Sequence, residues 1–145
     1  MALFRQGFNC SQSVFASVAD LYGINDEAFA LRLSASFGGG IGRMRQTCGA
    51  ACGMFLLAGL ENGSATAGDA AGKKQNYAFV QQLAQQFKAE HGSLICAELL
   101  GLAPRQQPAS DPTPAPRTEE YYKKRPCVEM VGNAVRMYLK TVGNE

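Results

Sequence analysis

Several features that define common classes of protein are missing from this sequence. It contains a single histidine, His91, so a nucleophilic Cys–His pair would depend on that residue alone. No apolar run approaches the roughly 18 residues that a membrane helix needs, so we expect no membrane insertion. Residues 1–7 show no basic stretch leading into an apolar one, so we expect no secretory signal and a cytoplasmic location.

Charge is sparse as well. Only 18% of the residues are charged, the net charge is +2, and the basic residues form short clusters such as Lys123–Arg125. These clusters are not interleaved with aromatic residues on which bases can stack. Because a nucleic-acid-binding surface needs a basic stripe, we expect no nucleic-acid partner.

The strict alternation of polar and apolar residues that marks β-strands is almost absent, whereas apolar residues recur at helical spacing. We therefore predict an all-α fold, a single domain over residues 1–145 built as a bundle of five to six helices. The predicted helices cover residues 9–22, 25–36, 47–60, 73–90, 94–100 and 126–142, after a short helical turn over residues 2–6. Residues 103–118 hold five of the six prolines and are predicted to form an extended connector before the last helix.

Several of the predicted helix boundaries carry local signals. Asn9 and Gln12 have the spacing of a capping box. Asn25 and Ser93 are placed to cap the second and fifth helices, and Pro126 suits the start of the last one. The last helix carries one narrow apolar stripe. We favour core packing for this stripe, and a helix-mediated homodimer is the alternative.

The side chains with the most chemical potential are the five cysteines. Thiols stay reduced in the cytoplasm, so this number indicates metal binding or redox work rather than structural disulfides. Four of them lie in the first turns of four different predicted helices: Cys10, Cys48, Cys96 and Cys127. Free N–H groups and the positive dipole end stabilise a thiolate there, and a thiolate is both a nucleophile and a metal ligand. If these helix starts converge, the four thiols form one site.

Cys52 follows Cys48 by one helical turn on the same face, so the two can share a metal, whereas an unbroken helix disfavours a disulfide between them. Gly49 and Gly53 are poor helix formers, which indicates that another group approaches the backbone there. The alternative is that the cysteines are buried apolar fillers. No C-x-x-C pair is present, and the spacings match no standard zinc finger.

A glycine-rich segment follows the second predicted helix. Its glycines, together with Arg43 and Arg45, can hold an anion through backbone N–H groups. The segment follows a helix rather than a strand, and it lacks the Gly-Lys-Ser/Thr ending of a phosphate-binding loop. A tight turn that brings helices together is therefore the favoured interpretation.

Longer strings of the sequence resemble the C_GCAxxG_C_C family of redox-active proteins. They are LFRQGFNCSQSV at residues 3–14, FGGGI at 37–41, CGAACG at 48–53, the downstream Cys96, and Cys127 ahead of Val-Glu. The resemblance covers nearly the whole chain in order and spacing. It implies that Cys10, Cys48, Cys96 and Cys127 are the family's four signature cysteines, with catalytic and metal-binding roles. Cys52 occupies a variable position and is a secondary ligand, while Gly38, Gly39, Gly40, Gly49 and Gly53 supply the backbone of the pocket.

The resemblance also implies a reaction class. The family is similar to a region of split-Soret-type cytochromes, which implies a bacterial or archaeal source, iron–sulfur binding and electron transfer. We therefore predict electron transfer through an iron–sulfur cluster or another thiolate-bound metal at the four-cysteine site, with a protein redox partner. The first alternative is a thiol–disulfide redox protein without a metal. The second is a non-catalytic helical module for metal binding or interaction.

Overall fold

A computed structural model describes residues 1–102 and 111–144 of the chain. This part of the protein contains α-helices and two 3-10 helices but no strand, which confirms the all-α class. In the described ranges five helices have seven or more residues, and three helices of four to six residues raise the number to eight, above the predicted five to six. The helices are α1 (Ala2–Arg5), α2 (Cys10–Val18), α3 (Glu27–Ser34), α4 (Gly49–Asn62), α5 (Ala70–His91), α6 (Cys96–Leu99), α7 (Glu119–Lys124) and α8 (Cys127–Val142).

The start of α2 follows the predicted capping box. The Asn9 side chain accepts from the Gln12 N–H at 2.9 Å, and the Gln12 side chain accepts from the Asn9 N–H at 3.0 Å. The α-helix ends at Val18 and continues as a 3-10 helix over Ala19–Tyr22. The predicted boundaries of this element are therefore confirmed, with a tighter last turn.

Three predicted helix starts are corrected by the caps that form. Asp26 rather than Asn25 caps α3, because its carboxylate accepts from the Phe29 N–H at 3.0 Å. Asp69 caps α5 through the Gly72 N–H at 2.9 Å, so this helix begins before the predicted residue 73. Ser93 accepts from the Ile95 N–H, and Ile95 itself is the N-cap of α6.

Helix α2 lies at the centre of the fold and packs against α3, α4 and α8, while α5 covers α4 and α8. The side chains of Met54, Phe87 and Tyr138 are fully buried among these helices. The Tyr138 hydroxyl donates to the Leu57 carbonyl at 3.0 Å, so its polar group is satisfied within the core. The apolar stripe of α8 is thus used in core packing. None of the helices in the described ranges combines the length and apolar character that crossing a bilayer requires.

The predicted connector is only partly described, because residues 103–110 lie outside the described ranges. Residues 111–117 form irregular chain. Thr118 then caps α7, a short helix that the sequence analysis did not predict, by accepting from the Tyr121 N–H at 3.2 Å.

Candidate functional site

Each of the four signature cysteines stands at the start of a helix. Cys10, Cys96 and Cys127 are the first residues of α2, α6 and α8. Cys48 is the N-cap of α4, one position before the first turn in which it was predicted. Cys52 lies one turn further along α4.

Three of these cysteines share one cleft. Cys10, Cys96 and Cys127 line a cavity of about 390 Å³ together with the glycine-rich segment and part of the proline-rich chain. Cys48 and Cys52 are each only 6% exposed and do not line it. The structure therefore brings three sulfurs to one open cavity and leaves two buried beside it.

Cys96 reaches the cleft through a pairing of two chain segments that periodicity does not reveal. Thr47 and Ile95 form an isolated antiparallel bridge. The Cys48 N–H donates to the Leu94 carbonyl at 2.7 Å, and the Cys96 N–H donates to the Gln46 carbonyl at 2.6 Å. This short ladder ties the entry of α4 to the entry of α6, so it holds Cys48 and Cys96 diagonally across the bridge from each other.

The glycines allow the backbone to come close to the cysteines. A Cβ added to Gly40 would lie 2.6 Å from the Cys96 Cβ, and one added to Gly49 would lie 3.2 Å from the Cys10 Cβ. Gly38 and Gly39 line the cleft directly. Gly53 has a different place: a Cβ there would lie 2.7 Å from the Val14 Cβ, in the contact between α2 and α4.

The glycine-rich segment has an uncommon backbone. Its residues 39–43 all have positive φ, between 55° and 76°, and Arg45 follows with φ of 61°. Three of these residues, Ile41, Arg43 and Arg45, are not glycine, and a left-handed conformation costs each of them roughly 1–2 kcal/mol. This left-handed turn places both arginines at the cleft.

Cys10 and Cys127 line the same cleft, and their thiols affect each other's ionisation. The side chain of Cys127 is the main cause that lowers the pKa of Cys10 to about 7. The backbone N–H of Gly39 and the positive charge of Arg117 act in the same direction, and burial opposes them. The same interaction raises the pKa of Cys127, so the two thiols titrate as a coupled pair that loses its first proton at a lower pH than a free thiol does.

The remaining cysteines stay protonated at neutral pH. Burial raises the pKa of Cys48 to about 12 and that of Cys52 to about 11. Burial also raises the pKa of Cys96, although the Arg45 guanidinium donates to its sulfur at 3.6 Å. The lowering of pKa expected at the helix starts is not found for Cys48 and Cys96, because loss of solvation outweighs the helix dipole there.

Four arginines line the cleft: Arg43, Arg45, Arg117 and Arg125. The Arg117 guanidinium donates to the carbonyls of Phe4 at 3.0 Å and Phe8 at 3.1 Å, and it lies 4.3 Å from the centre of the Phe4 ring. Sequence analysis singled out Arg43 and Arg45 but missed Arg117 and Arg125. No local signal connects these two to the cysteines, since only tertiary folding brings them together.

The donor groups do not fit a multi-thiolate metal centre in this arrangement. Across residues 1–102 and 111–144, no group of three or more His, Cys, Asp or Glu side chains is placed to hold a metal ion. The Cys52 sulfur donates to the Thr47 carbonyl at 3.7 Å, and Cys96 accepts from Arg45. His91 ends α5, where its ring lies 4.6 Å from the Phe87 ring at a tilt of 52°, and it does not line the cleft.

Comparison with known proteins gives one match. Residues 8–141 match the model of a family described as "Putative redox-active protein (C_GCAxxG_C_C)". No curated protein and no solved structure matches the chain. The matched range includes all five cysteines and all four arginines of the cleft.

Proposed function

Because the chain belongs to the C_GCAxxG_C_C family, we propose that it acts as a thiol–disulfide redox protein, with Cys10 as nucleophile and Cys127 as the resolving cysteine. The observation that carries this proposal is that Cys10 and Cys127, the first residues of two helices, line one cleft, and the lowered pKa of Cys10 supports it. A reactive cysteine needs an accessible, stabilised thiolate, and a second thiol in contact with it completes a dithiol.

The proposed reaction transfers two electrons to a disulfide. The Cys10 thiolate attacks one sulfur of R–S–S–R′, the S–S bond breaks, and R–S⁻ leaves with the electron pair. Cys127 then gives up its proton to the second leaving group, and its sulfur attacks Cys10 and releases R′–SH. The protein ends as a Cys10–Cys127 disulfide, oxidised by two electrons, and the substrate ends as two thiols once R–S⁻ has taken a proton from water. A dithiol, which would be the predicted protein partner, resets the pair by the reverse steps.

The interaction between the two thiols also determines that Cys10 attacks the substrate before Cys127 attacks Cys10. The side chain of Cys10 and the charge of its thiolate are both causes that raise the pKa of Cys127. When Cys10 is held in a mixed disulfide its charge is gone, so Cys127 ionises more readily. We expect the resolving thiol to become reactive only after the first attack has taken place.

The iron–sulfur or other thiolate-bound metal centre predicted from the sequence stays a prediction. Its support is the family membership and the closeness of the signature cysteines, since the charge of Cys10 acts on both Cys48 and Cys96. Such a group would supply one-electron transfer. To bind it, the thiols of Cys48 and Cys96 would have to leave their present surroundings.

Anaerobic purification followed by metal analysis and thiol titration tests the proposal. We expect no stoichiometric metal and a reversible two-electron titration, which Cys10→Ser and Cys127→Ser each abolish. Cys52→Ala is the matched control and should leave the titration unchanged, because its sulfur lies outside the cleft. Bound metal that each of the four signature Cys→Ser changes removes would instead establish the metal centre. If the Cys→Ser changes lowered stability alone, and the protein showed neither bound metal nor a thiol titration, the non-catalytic helical module would be the remaining function.

A further inference from the structure

The cleft beside Cys10 carries more positive charge than its cysteines require. Among its described lining residues there are four arginines and no aspartate or glutamate. Arg43 alone reaches a carboxylate in the described ranges, that of Asp111 at 3.8 Å. Arg117 acts on the Cys10 thiolate. Arg45 and Arg125 therefore line the cleft without a paired carboxylate in the part of the chain that the structure describes.

Among these arginines, Arg45 has the least favourable position for a charged side chain. It is only 7% exposed, and its Nε atom is buried with no hydrogen-bond partner in the described part of the chain. The one hydrogen bond of its side chain in the described part of the chain, from Nη1 to the Cys96 sulfur at 3.6 Å, involves a weak acceptor. A buried charge is costly unless an opposite charge or several acceptors accompany it, and the left-handed backbone at Arg45 adds strain.

An anion in the cleft would balance the surplus of arginine charge, and it would give the buried Arg45 guanidinium the opposite charge that it lacks. Guanidinium groups bind carboxylates and similar oxyanions through paired N–H donors, and Arg45 and Arg125 both line the cleft. The cavity of about 390 Å³ falls in the range of sites for small molecules. The Phe4 ring and Leu100 line the same cavity and offer apolar contact to a short carbon chain.

We propose that the cleft binds a small, carboxylate-bearing disulfide, with Arg45 and Arg125 holding a carboxylate while Cys10 attacks the disulfide sulfur. The substrate class rests on the proposed function, whereas the anion site rests on the arginines themselves. In the reaction, the Cys10 sulfur forms the new S–S bond, the substrate S–S bond breaks, and the thiolate that leaves takes the electron pair. Cys127 completes the two-electron reduction as above.

Two probes of similar size separate the anion site from the general reactivity of Cys10. Dithiodiglycolate carries two carboxylates, and bis(hydroxyethyl) disulfide is neutral. The rate of Cys10 oxidation by each is measured for the full chain and for Arg45→Met. Removing a charged hydrogen bond typically lowers binding by at least about ten-fold, so we expect that loss with dithiodiglycolate and an unchanged rate with the neutral disulfide. The neutral rate should stay because Arg117, not Arg45, lowers the pKa of Cys10.

Lys123→Met is the matched control. It removes the same charge from an exposed position on α7 outside the cleft, and both rates should stay unchanged. Arg125→Gln is the second test variant, and it is used in case Arg45→Met lowers the helix content. It should likewise slow oxidation by dithiodiglycolate and leave the rate with the neutral disulfide unchanged. An equal fall with both probes, or no fall with either in both arginine variants, would overturn the inference.

Failure of the proposed function is distinguishable from failure of the anion site. If neither disulfide oxidises the wild-type chain, the thiol–disulfide proposal fails. Calorimetric binding of dithiodiglycolate to Cys10→Ser, with loss of binding in the double variant that adds Arg45→Met, would then still support the anion site. Absence of that binding would overturn it.

Discussion

Cys10 differs from the other four cysteines in what surrounds its sulfur. Its pKa is lowered by the side chain of Cys127, by the backbone of Gly39 and by the positive charge of Arg117. Cys48 is also at a helix start, yet its buried position raises its pKa to about 12. A helix N-terminus therefore does not make a thiolate by itself, and partners that bind the charged form decide which cysteine ionises.

The first prediction concerns the pH dependence of Cys10. Because its pKa is lowered to about 7, its alkylation rate should rise with pH and reach half its maximum near pH 7. Cys127→Ala removes the main cause of the lowering and should move this midpoint towards the ordinary pKa of about 8.5. The measurement is the rate of iodoacetamide labelling of the Cys10 peptide by mass spectrometry between pH 5 and 10.

Cys127→Ser is the control for this prediction. A serine hydroxyl can still donate to the Cys10 sulfur, so its midpoint should lie closer to that of the wild-type chain. A midpoint that is the same in Cys127→Ala and in the wild type would contradict the assigned cause.

At the scale of elements, the glycine-rich segment determines how closely the chain approaches the cysteines. Gly40 and Gly42 both have positive φ, of 76° and 55°. They differ in their surroundings, because a Cβ at Gly40 would lie 2.6 Å from the Cys96 Cβ, whereas nothing lies within 4 Å of one at Gly42. Comparing alanine substitutions at the two positions therefore separates the cost of backbone strain from the cost of disturbed packing.

The second prediction uses this pair. Gly42→Ala should lower the free energy of unfolding by roughly 1–2 kcal/mol, the cost of a left-handed alanine. Gly40→Ala should cost about 1–3 kcal/mol more, because its Cβ also forces the backbone away from Cys96. Urea denaturation monitored by circular dichroism measures both values. Equal losses in the two variants would show that close approach to Cys96 does not matter.

Local signals explain which elements could be predicted. The capping box of Asn9 and Gln12 is encoded within four residues, and Pro126 marks the start of α8. The bridge of Thr47 with Ile95 depends on two segments far apart in the chain, so no local pattern predicts it. Helix α7 was missed because Thr118, its cap, lies at the edge of a proline-rich stretch that indicates irregular chain.

At the scale of the whole molecule, the candidate site joins parts of the chain that are distant in sequence. Helix periodicity and the family resemblance placed the cysteines at helix starts, but burial and charge at the cleft arise only when the helices pack. Arg117 and Arg125 show this most clearly, since a net charge of +2 gave no sign that four arginines line one cavity.

The third prediction is that oxidation stabilises the folded chain. A disulfide between Cys10 and Cys127 would close a loop of more than 100 residues and so restrict the unfolded state. In the chain-entropy account a loop of that length contributes up to about 4–5 kcal/mol, reduced by any strain in the folded state. We expect the oxidised wild type to unfold at higher urea than the reduced form. The Cys127→Ala variant should show no such difference, and a less stable oxidised form would count against this pairing.

The most direct test of the central claim is to map the disulfide that forms in the native protein. The reduced chain is treated with one equivalent of a small disulfide, the free thiols are blocked, and the peptides are analysed by mass spectrometry. The account predicts a single bond between Cys10 and Cys127, with Cys48, Cys52 and Cys96 recovered as blocked thiols. A different pairing, or no pairing because a metal holds the thiols, would contradict it.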